Sequence, residues 1–319
     1  MANDRMTAEQ SPQELKSWTQ TPPLSPPLRH AVENVVENQT WLDKLADPIQ
    51  NWLLKFFGQP GQPQRKLKDL LNGTWLGHPV HPTLTDIPIG SWSATLLLDL
   101  AWLGKENDGM ANGADLTLLL GLLGATGAAV TGIAEWSDQV DVDRRVGLMH
   151  GLLNTGITVT NVASLIMRRT GQRRAGIALS TLGYAATIFS AYLGGEMTLG
   201  KGVGVNHGAF EGGSDDYVAV MDEKDLSEGK LVRVDAAGIP AILVKQGNRL
   251  YAIAATCSHA GGPLDEGTLR DGAVQCPWHG SCFHLSDGSI VNGPATYAQP
   301  TFSVRVRAGK IELRRLEHA

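Results

Sequence analysis

The chain has 319 residues, a formal net charge of −5 and a charged fraction of 18%. That length exceeds one ordinary domain, and an acidic balance without a concentrated excess of Lys and Arg excludes a nucleic-acid partner on electrostatic grounds. The charges are unevenly spread, thinning out between Ile87 and Gly195 over four apolar runs, so the chain is segmental.

Residues 1–28 are rich in Pro, Ser and Gln, with too little apolar surface to offset ordering, and are expected to be a disordered tail. They show neither the apolar core of a secretory signal nor a pair of arginines, so the first residues are expected to stay in the cytoplasm. Residues 29–66 are expected to hold an amphipathic helical segment. Trp41, Leu42, Leu45, Ile49, Trp52, Leu53 and Phe56 recur at roughly helical spacing, with Pro48 as a kink. Such a helix either lies in a membrane interface with its aromatic rings at headgroup depth or packs on the rest of the protein, and the pattern weights the two evenly.

Residues 67–210 contain the apolar runs 87–103, 116–136, 146–167 and 175–193. A hydrocarbon core of ~30 Å takes about 20 helical residues, which each run roughly supplies. The third and fourth carry no Asp, Glu, Lys or Arg and are the firmest spans. Asp99 in the first and Glu135 at the end of the second keep a soluble four-helix bundle open as an alternative. Against it stand Gly121, Gly124, Gly127, Gly132, Gly151, Gly156, Gly176 and Gly183, which weaken a soluble helix but let backbones approach closely in lipid. The reading is an α-helical four-helix transmembrane bundle. A polar, Gly-rich linker at 211–216 then leads into 217–319, where short β-branched runs such as LVRV, AILV and FSVRVR between Gly, Asn and Asp turns predict a small all-β domain.

The three cysteines, Cys257, Cys276 and Cys282, all lie in that last section and form no spaced disulfide framework. Two of them belong to a pattern: Cys257-x-His259, sixteen residues, then Cys276-x-x-His279. Two short loops, each offering a thiolate and an imidazole, can clasp a binuclear 2Fe-2S cluster, one iron taking both cysteines and the other both histidines. Tetrahedral zinc is the rival for two Cys and two His, but it has no need of the surrounding Gly261, Gly262, Pro263, Pro277 and Gly280, which allow two tight loops to close. The motif resembles that of the Rieske family over about Tyr217 to Leu316. The resemblance implies cluster ligation by Cys257, His259, Cys276 and His279, a hydroxyl of Ser281 directed at a bridging sulfide, and a cover from Pro294 in NGPAT. Where the family's respiratory branch has a disulfide and a tyrosine, this chain has Gly262, Trp278 and Phe283. It therefore looks like the ferredoxin or oxygenase type, with a low reduction potential. An oxygenase would also need a mononuclear iron in a large catalytic domain, for which the chain has no room. Cys282 is expected to be a small packed residue.

The segments GHPVHPTLTDIPIG and GEMTLGKGVGVNHGAF, which flank the helical region, resemble an uncharacterised family of bacterial four-helix membrane proteins, DUF2231-like, sometimes joined to a Rieske domain. With four crossings, His78 and His81 before the first helix, Glu135 ending the second, His150 starting the third and His207 after the fourth share one membrane face. The histidines are candidate ligands for a second cofactor, haem b foremost, with a metal ion or a quinone headgroup as other occupants; the plain alternative is a proline-fixed helix entry. Basic residues nearly tie between the two sides, Arg65, Lys66, Lys68, Arg144 and Arg145 against Arg168, Arg169, Arg173 and Arg174, and the missing signal and disulfide lead to the expectation that both termini are in the cytoplasm of a bacterial cell. The expected function is a one-electron carrier anchored in the inner membrane, working between donor and acceptor proteins or a quinone. A redox-sensing or structural membrane protein is the alternative.

Overall fold

The computed structural model describes residues 32–58, 62–211 and 213–316, so the expected tail of residues 1–28 lies outside the described residues. The chain divides into two compact units at Gln39 and Thr40. The first contributes a short π-helical turn, Glu33–Glu37. The second contains every element described below.

Helix α1, Trp41–Phe57, buries Leu42, Ala46, Gln50, Leu53 and Phe57 at helical spacing. It leaves Trp41, Leu45, Ile49, Trp52 and Phe56 exposed on its other side. The two readings of this segment therefore describe its two faces: one packs on the protein, and the other is an uncovered aromatic and aliphatic stripe. The packed face is fixed by Asp43, which accepts from Arg144 (2.8 Å) and Arg145 (2.7 Å). Helix α2, Arg65–Asn72, follows and ends on the left-handed Gly73.

Four long helices form the bundle: α3 Val80–Gly104, α4 Asp108–Trp136, α5 Asp141–Arg169 and α6 Arg173–Gly195. They begin earlier than the apolar runs suggest. Pro82 sits in the first turn of α3, where backbone N–H groups have no helical partner anyway, so His81 lies inside that helix instead of ahead of it. Likewise α5 starts at Asp141, and His150 sits in its third turn.

The bundle is arranged with its polar groups inside. Thr95, Asp99, Asn161, Ser164, Arg168, Ser180 and Ser190 are buried between helices, while Leu97, Leu116, Leu123, Val159, Leu182 and Ile188 are largely exposed. A water-soluble bundle would hide the second set, so the outer surface is built for lipid. Three helical stretches, Val80–Gly104, Asp108–Trp136 and Arg173–Gly200, are long and apolar enough to cross a membrane. The 29-residue α5 has the length, but it is not among those three, contrary to its expected rank as one of the firmest spans. Its His150, Asn154 and Asn161 are the reason: they bond within the bundle, which lowers the helix's apolarity without exposing those groups to lipid. Some of the glycines are close-approach sites: a Cβ on Gly121 would fall 2.2 Å from the Trp92 indole nitrogen, and one on Gly124 2.5 Å from Ile87. Gly151 and Gly156 face open space.

The C-terminal domain is all-β. Strands β1 Val218–Asp222, β2 Val232–Asp235, β3 Pro240–Gln246, β4 Arg249–Ala254, β9 Thr301–Arg307 and β10 Lys310–Arg315 form a six-stranded antiparallel sheet in the order β1-β10-β9-β4-β3-β2, and β5 Thr268–Arg270, β6 Ala273–Gln275, β7 Cys282–His284 and β8 Ile290–Asn292 a four-stranded one in the order β5-β6-β7-β8. The strands that matter for the site are β4 Arg249–Ala254, β6 Ala273–Gln275, β7 Cys282–His284 and β8 Ile290–Asn292. Ile242, Ile253, Leu264, Val274 and Phe283, all fully buried, fill the space behind the loops that these strands carry. Phe283 thus presents no polar group to those loops.

Candidate iron-sulfur site

Two loops of the same construction meet at one end of the β domain. In the first, after β4, the Cys257 N–H donates to Gly262 O (2.8 Å) and the Gly261 N–H returns to Cys257 O (2.9 Å). In the second, between β6 and β7, the Cys276 N–H donates to Ser281 O (2.8 Å) and the Gly280 N–H to Cys276 O (3.2 Å). Each turn requires a left-handed residue, supplied by Gly261 (φ 74°) and Gly280 (φ 78°).

The construction brings the four predicted side chains together in pairs. The rings of His259 and His279 lie 5.0 Å apart, nearly perpendicular. The thiols of Cys257 and Cys276 share a hydrogen bond, which draws the Cys276 thiol down to about 7 and pushes that of Cys257 up. Burial pushes both imidazoles below their ordinary range, His259 to about 3, so the rings are neutral, as metal ligands must be. Among the described residues no three His, Cys, Asp or Glu side chains converge as a metal ion requires. A donor set of a cysteine pair and a histidine pair is one that a two-iron cluster can take, one iron to each pair.

The loops are braced without a disulfide, the three cysteines being free. A Cβ on Gly262 would lie 2.9 Å from Cys276 Sγ and 3.1 Å from the Trp278 ring. The bare backbone of the first loop therefore packs on the indole of the second. The third loop closes the site: Asn292 Nδ2 donates to Gly280 O (2.8 Å), and the Ala295 N–H donates to Ser281 Oγ (3.0 Å), which leaves the serine's own proton free. Pro294 lines the same small cavity as His259. Sequence reasoning missed Gln299, which is fully buried. Its amide takes the Ser258 N–H (3.0 Å) and donates to the carbonyls of Ala254 and Thr256, tying down the first loop. Nothing in the local sequence marks it, because its partners lie over forty residues away.

Also missed was the role of α2. The Arg65 guanidinium donates to the carbonyls of His279 (3.3 Å) and Gly293 (3.1 Å), Asp69 accepts the Gly293 N–H (3.0 Å), and Thr74 donates to Ala295 O (3.3 Å). Lys68 is entirely buried and pairs with Asp138 at 2.5 Å. The segment just ahead of the bundle therefore grips the second and third loops, whereas the sequence offered Arg65 and Lys68 only as charges for membrane orientation.

The four bundle histidines gather at this end but divide into two pairs. His207 donates its backbone N–H to Ser258 O (3.0 Å), and its ring bonds to Gly202 O. His78 turns its ring toward Pro79 O and Tyr297. These two serve the contact with the β domain. His81 and His150 face one another inside the bundle, ring centres 6.4 Å apart. Their Nδ1 atoms are held by the carbonyls of Ala128 (2.8 Å) and Ser190 (3.1 Å). The set does not converge on one point, and nothing in it supports a haem.

Comparison with known proteins separates the helical section from the β section. The family model of the Rieske [2Fe-2S] domain matches residues 216–303, and that of a predicted membrane protein, DUF2231, matches residues 77–207. Ferredoxin CarAc of Metapseudomonas resinovorans is 31% identical, over 30% of this chain and 90% of its own length. The ferredoxin component of biphenyl 2,3-dioxygenase from Rhodococcus jostii is 31% identical over 29% of this chain and 86% of that protein. Human apoptosis-inducing factor 3 is 35% identical, but this chain spans only 17% of its length. Among solved structures, the ferredoxin of carbazole 1,9a-dioxygenase from Nocardioides aromaticivorans is 27% identical, covers 31% of this chain and 96% of its own, and has a TM-score of 0.30. The chain belongs to the Rieske [2Fe-2S] family of electron-transfer proteins and carries, ahead of its Rieske domain, a predicted membrane protein domain of the DUF2231 kind.

Proposed function

We propose that Cys257, His259, Cys276 and His279 hold the 2Fe-2S cluster, and that the protein is a membrane-anchored carrier of single electrons between a redox partner and a centre or lipid-soluble carrier at the membrane face. The observation behind this reading is the different outlook of the two imidazoles. His259 lines a small cavity of about 20 Å³ together with Glu135, Asp138 and Asn72 from the helical side. His279 lines an open cleft of about 500 Å³, rimmed by the exposed Trp278 and Arg270 and floored by Gln50 and Leu54 of α1. Both rings thus adjoin the helical section, and His279 in addition lines the wider cavity, which has room for an incoming partner.

The bound cluster would supply reversible one-electron chemistry. The chain supplies the rest: thiols and neutral imidazoles at the right spacing, Ser281 with a proton to give to a sulfide, Pro294 as part of the cover, and α2 as the clamp that holds the loops against the bundle. Related ferredoxins are components of dioxygenase systems, which supports a protein partner, a donor or an acceptor, at the open cleft. A quinone is the lipid-soluble candidate on the bundle side. The uncovered stripe of α1 supports seating of that helix in the headgroup layer. The reading places the Rieske domain on the cytoplasmic side of a bacterial cell membrane, where free cysteines persist.

The test is purification of the full chain from membranes, with iron and acid-labile sulfide assays and low-temperature electron paramagnetic resonance after reduction. Two irons, two sulfides and a Rieske-type signal are expected. Cys276→Ser and His279→Ala should each remove the signal while the protein stays in the membrane fraction, because the bundle satisfies its own backbone groups. Stoichiometric zinc without sulfide would overturn the reading.

A further inference from the structure

Asp138 stands out among the charged groups around the candidate cluster. It lies in the turn between α4 and α5, outside the β domain, and only 7% of its side chain is exposed. One carboxylate oxygen takes the Lys68 ammonium at 2.5 Å. The other, Oδ2, is buried and has no hydrogen-bond partner among the described residues. A buried carboxylate oxygen without a donor is costly, and in a native structure such an atom calls for an explanation.

Its position supplies one. Among the described residues Asp138 lines both cavities, the small one beside His259 and the wide one beside Cys276 and His279. An imidazole that binds a metal through one nitrogen has a ring N–H left on the other, and carboxylates are the usual acceptors, fixing the ring and raising its basicity. Neither His259 nor His279 has a carboxylate from its own domain lining these two cavities.

We infer that Asp138 is the outer carboxylate of the Rieske site, contributed by the bundle: its unpartnered oxygen is the acceptor held in reserve for the ring N–H of an imidazole once the cluster fixes that ring, and its negative charge, countered in part by Lys68, lowers the reduction potential of the cluster. This rests on the ligand assignment proposed above. The arrangement makes the bundle part of the redox site, because the carboxylate sits at the end of α4 and its counter-ion on α2. Any rearrangement that separates Lys68 from Asp138 then changes the potential directly.

The experiment uses the full-length protein carrying its cluster, with Asp138→Asn, Lys68→Met and the double variant. Each is assayed for iron and sulfide, for its paramagnetic g-values and by redox titration at one pH. The expected order of midpoints is Asp138→Asn highest, then the double variant, the wild type, and Lys68→Met lowest. Asp138→Asn should change the oxidised-to-reduced ratio at a fixed potential at least tenfold, about 59 mV for one electron, and Asp138→Glu should recover most of the difference. If Asp138→Asn leaves its buried lysine too costly for folding, the double variant, which also lacks the carboxylate, decides. A full cluster with unchanged midpoint and g-values in both variants overturns the inference and leaves the ligand assignment standing. A wild-type protein without a cluster overturns both.

Discussion

The two ends of the helical bundle are each closed by buried charges, and they differ in how completely those charges are matched. At the end away from the Rieske domain, Arg168 donates to Asp99 through both terminal nitrogens, to Asp115 at 3.3 Å, to Ser164 at 3.1 Å and to Ser180 at 2.8 Å. Arg173 then takes the other oxygen of Asp115 at 2.6 Å. At the Rieske end, Lys68 and Asp138 make one close contact, and Asp138 Oδ2, both polar atoms of the Asn72 amide and Gln139 Oε1 are buried without hydrogen-bond partners among the described residues. A saturated network holds helices together; an unsaturated one of similar burial keeps capacity for something else to bind. The first end is thus suited to a structural role, and the second has the spare capacity that the inference about Asp138 uses.

That comparison can be broken most sharply at the saturated end. Arg168→Met leaves Asp99 buried and unpaired, which should cost about 3–5 kcal/mol, whereas replacing both partners by leucine should cost much less. Thermal unfolding in detergent measures both; an Arg168→Met protein as stable as the wild type would remove the structural assignment. At the Rieske end the charges act on the β domain instead. Arg65→Met removes the bonds to His279 O and Gly293 O, each of the charge-assisted kind worth about 1.5–3 kcal/mol. Hydrogen exchange should speed up at the Gly293 and Ala295 amides with the bundle helices unaffected. Equal acceleration throughout the bundle would show that α2 is a general stabiliser and not a clamp.

The smallest effect concerns α1. Hydrogen bonds from Arg145 and Arg144 hold the Asp43 carboxyl down from 3.8 to about 2. A depressed carboxyl contributes stability above its unfolded value, and that contribution is lost as pH falls from 3.8 toward 2. Tryptophan fluorescence from Trp41 and Trp52 should report a loosening of α1 in that window, and Asp43→Asn should already be loosened above it and lose the transition.

The helical and β sections were legible because each depends on local periodicity. Runs of apolar residues at the 3.6-residue repeat predict helices, and short β-branched runs between turn residues predict strands. The boundaries were less legible: α3 begins at Val80, seven residues before its apolar run, since a proline in the first helical turn blocks nothing. The run 146–167 within α5 was read as a firm span because it lacks full charges, but its interior-facing amides cannot be told from lipid-facing ones until its neighbours are placed. The segment 40–57 could be assigned neither to the protein nor to the membrane surface from its pattern, because a helix apolar on two sides serves both.

The sequence alone determined the pairing of Cys257 with His259 and of Cys276 with His279, since each pair sits in one short turn whose glycines specify its shape. It also determined that four long helices precede a β domain. Only the tertiary structure decided what surrounds those turns. Gly293 meets Asp69 across 224 positions, and Lys68 meets Asp138 across 70. It likewise separated His78 and His207, held at the Rieske loops, from His81 and His150, paired inside the bundle. Contacts at such separations leave no periodicity or spacing in the chain, because they are made by the docking of whole elements, and docking is settled by the complementarity of folded surfaces.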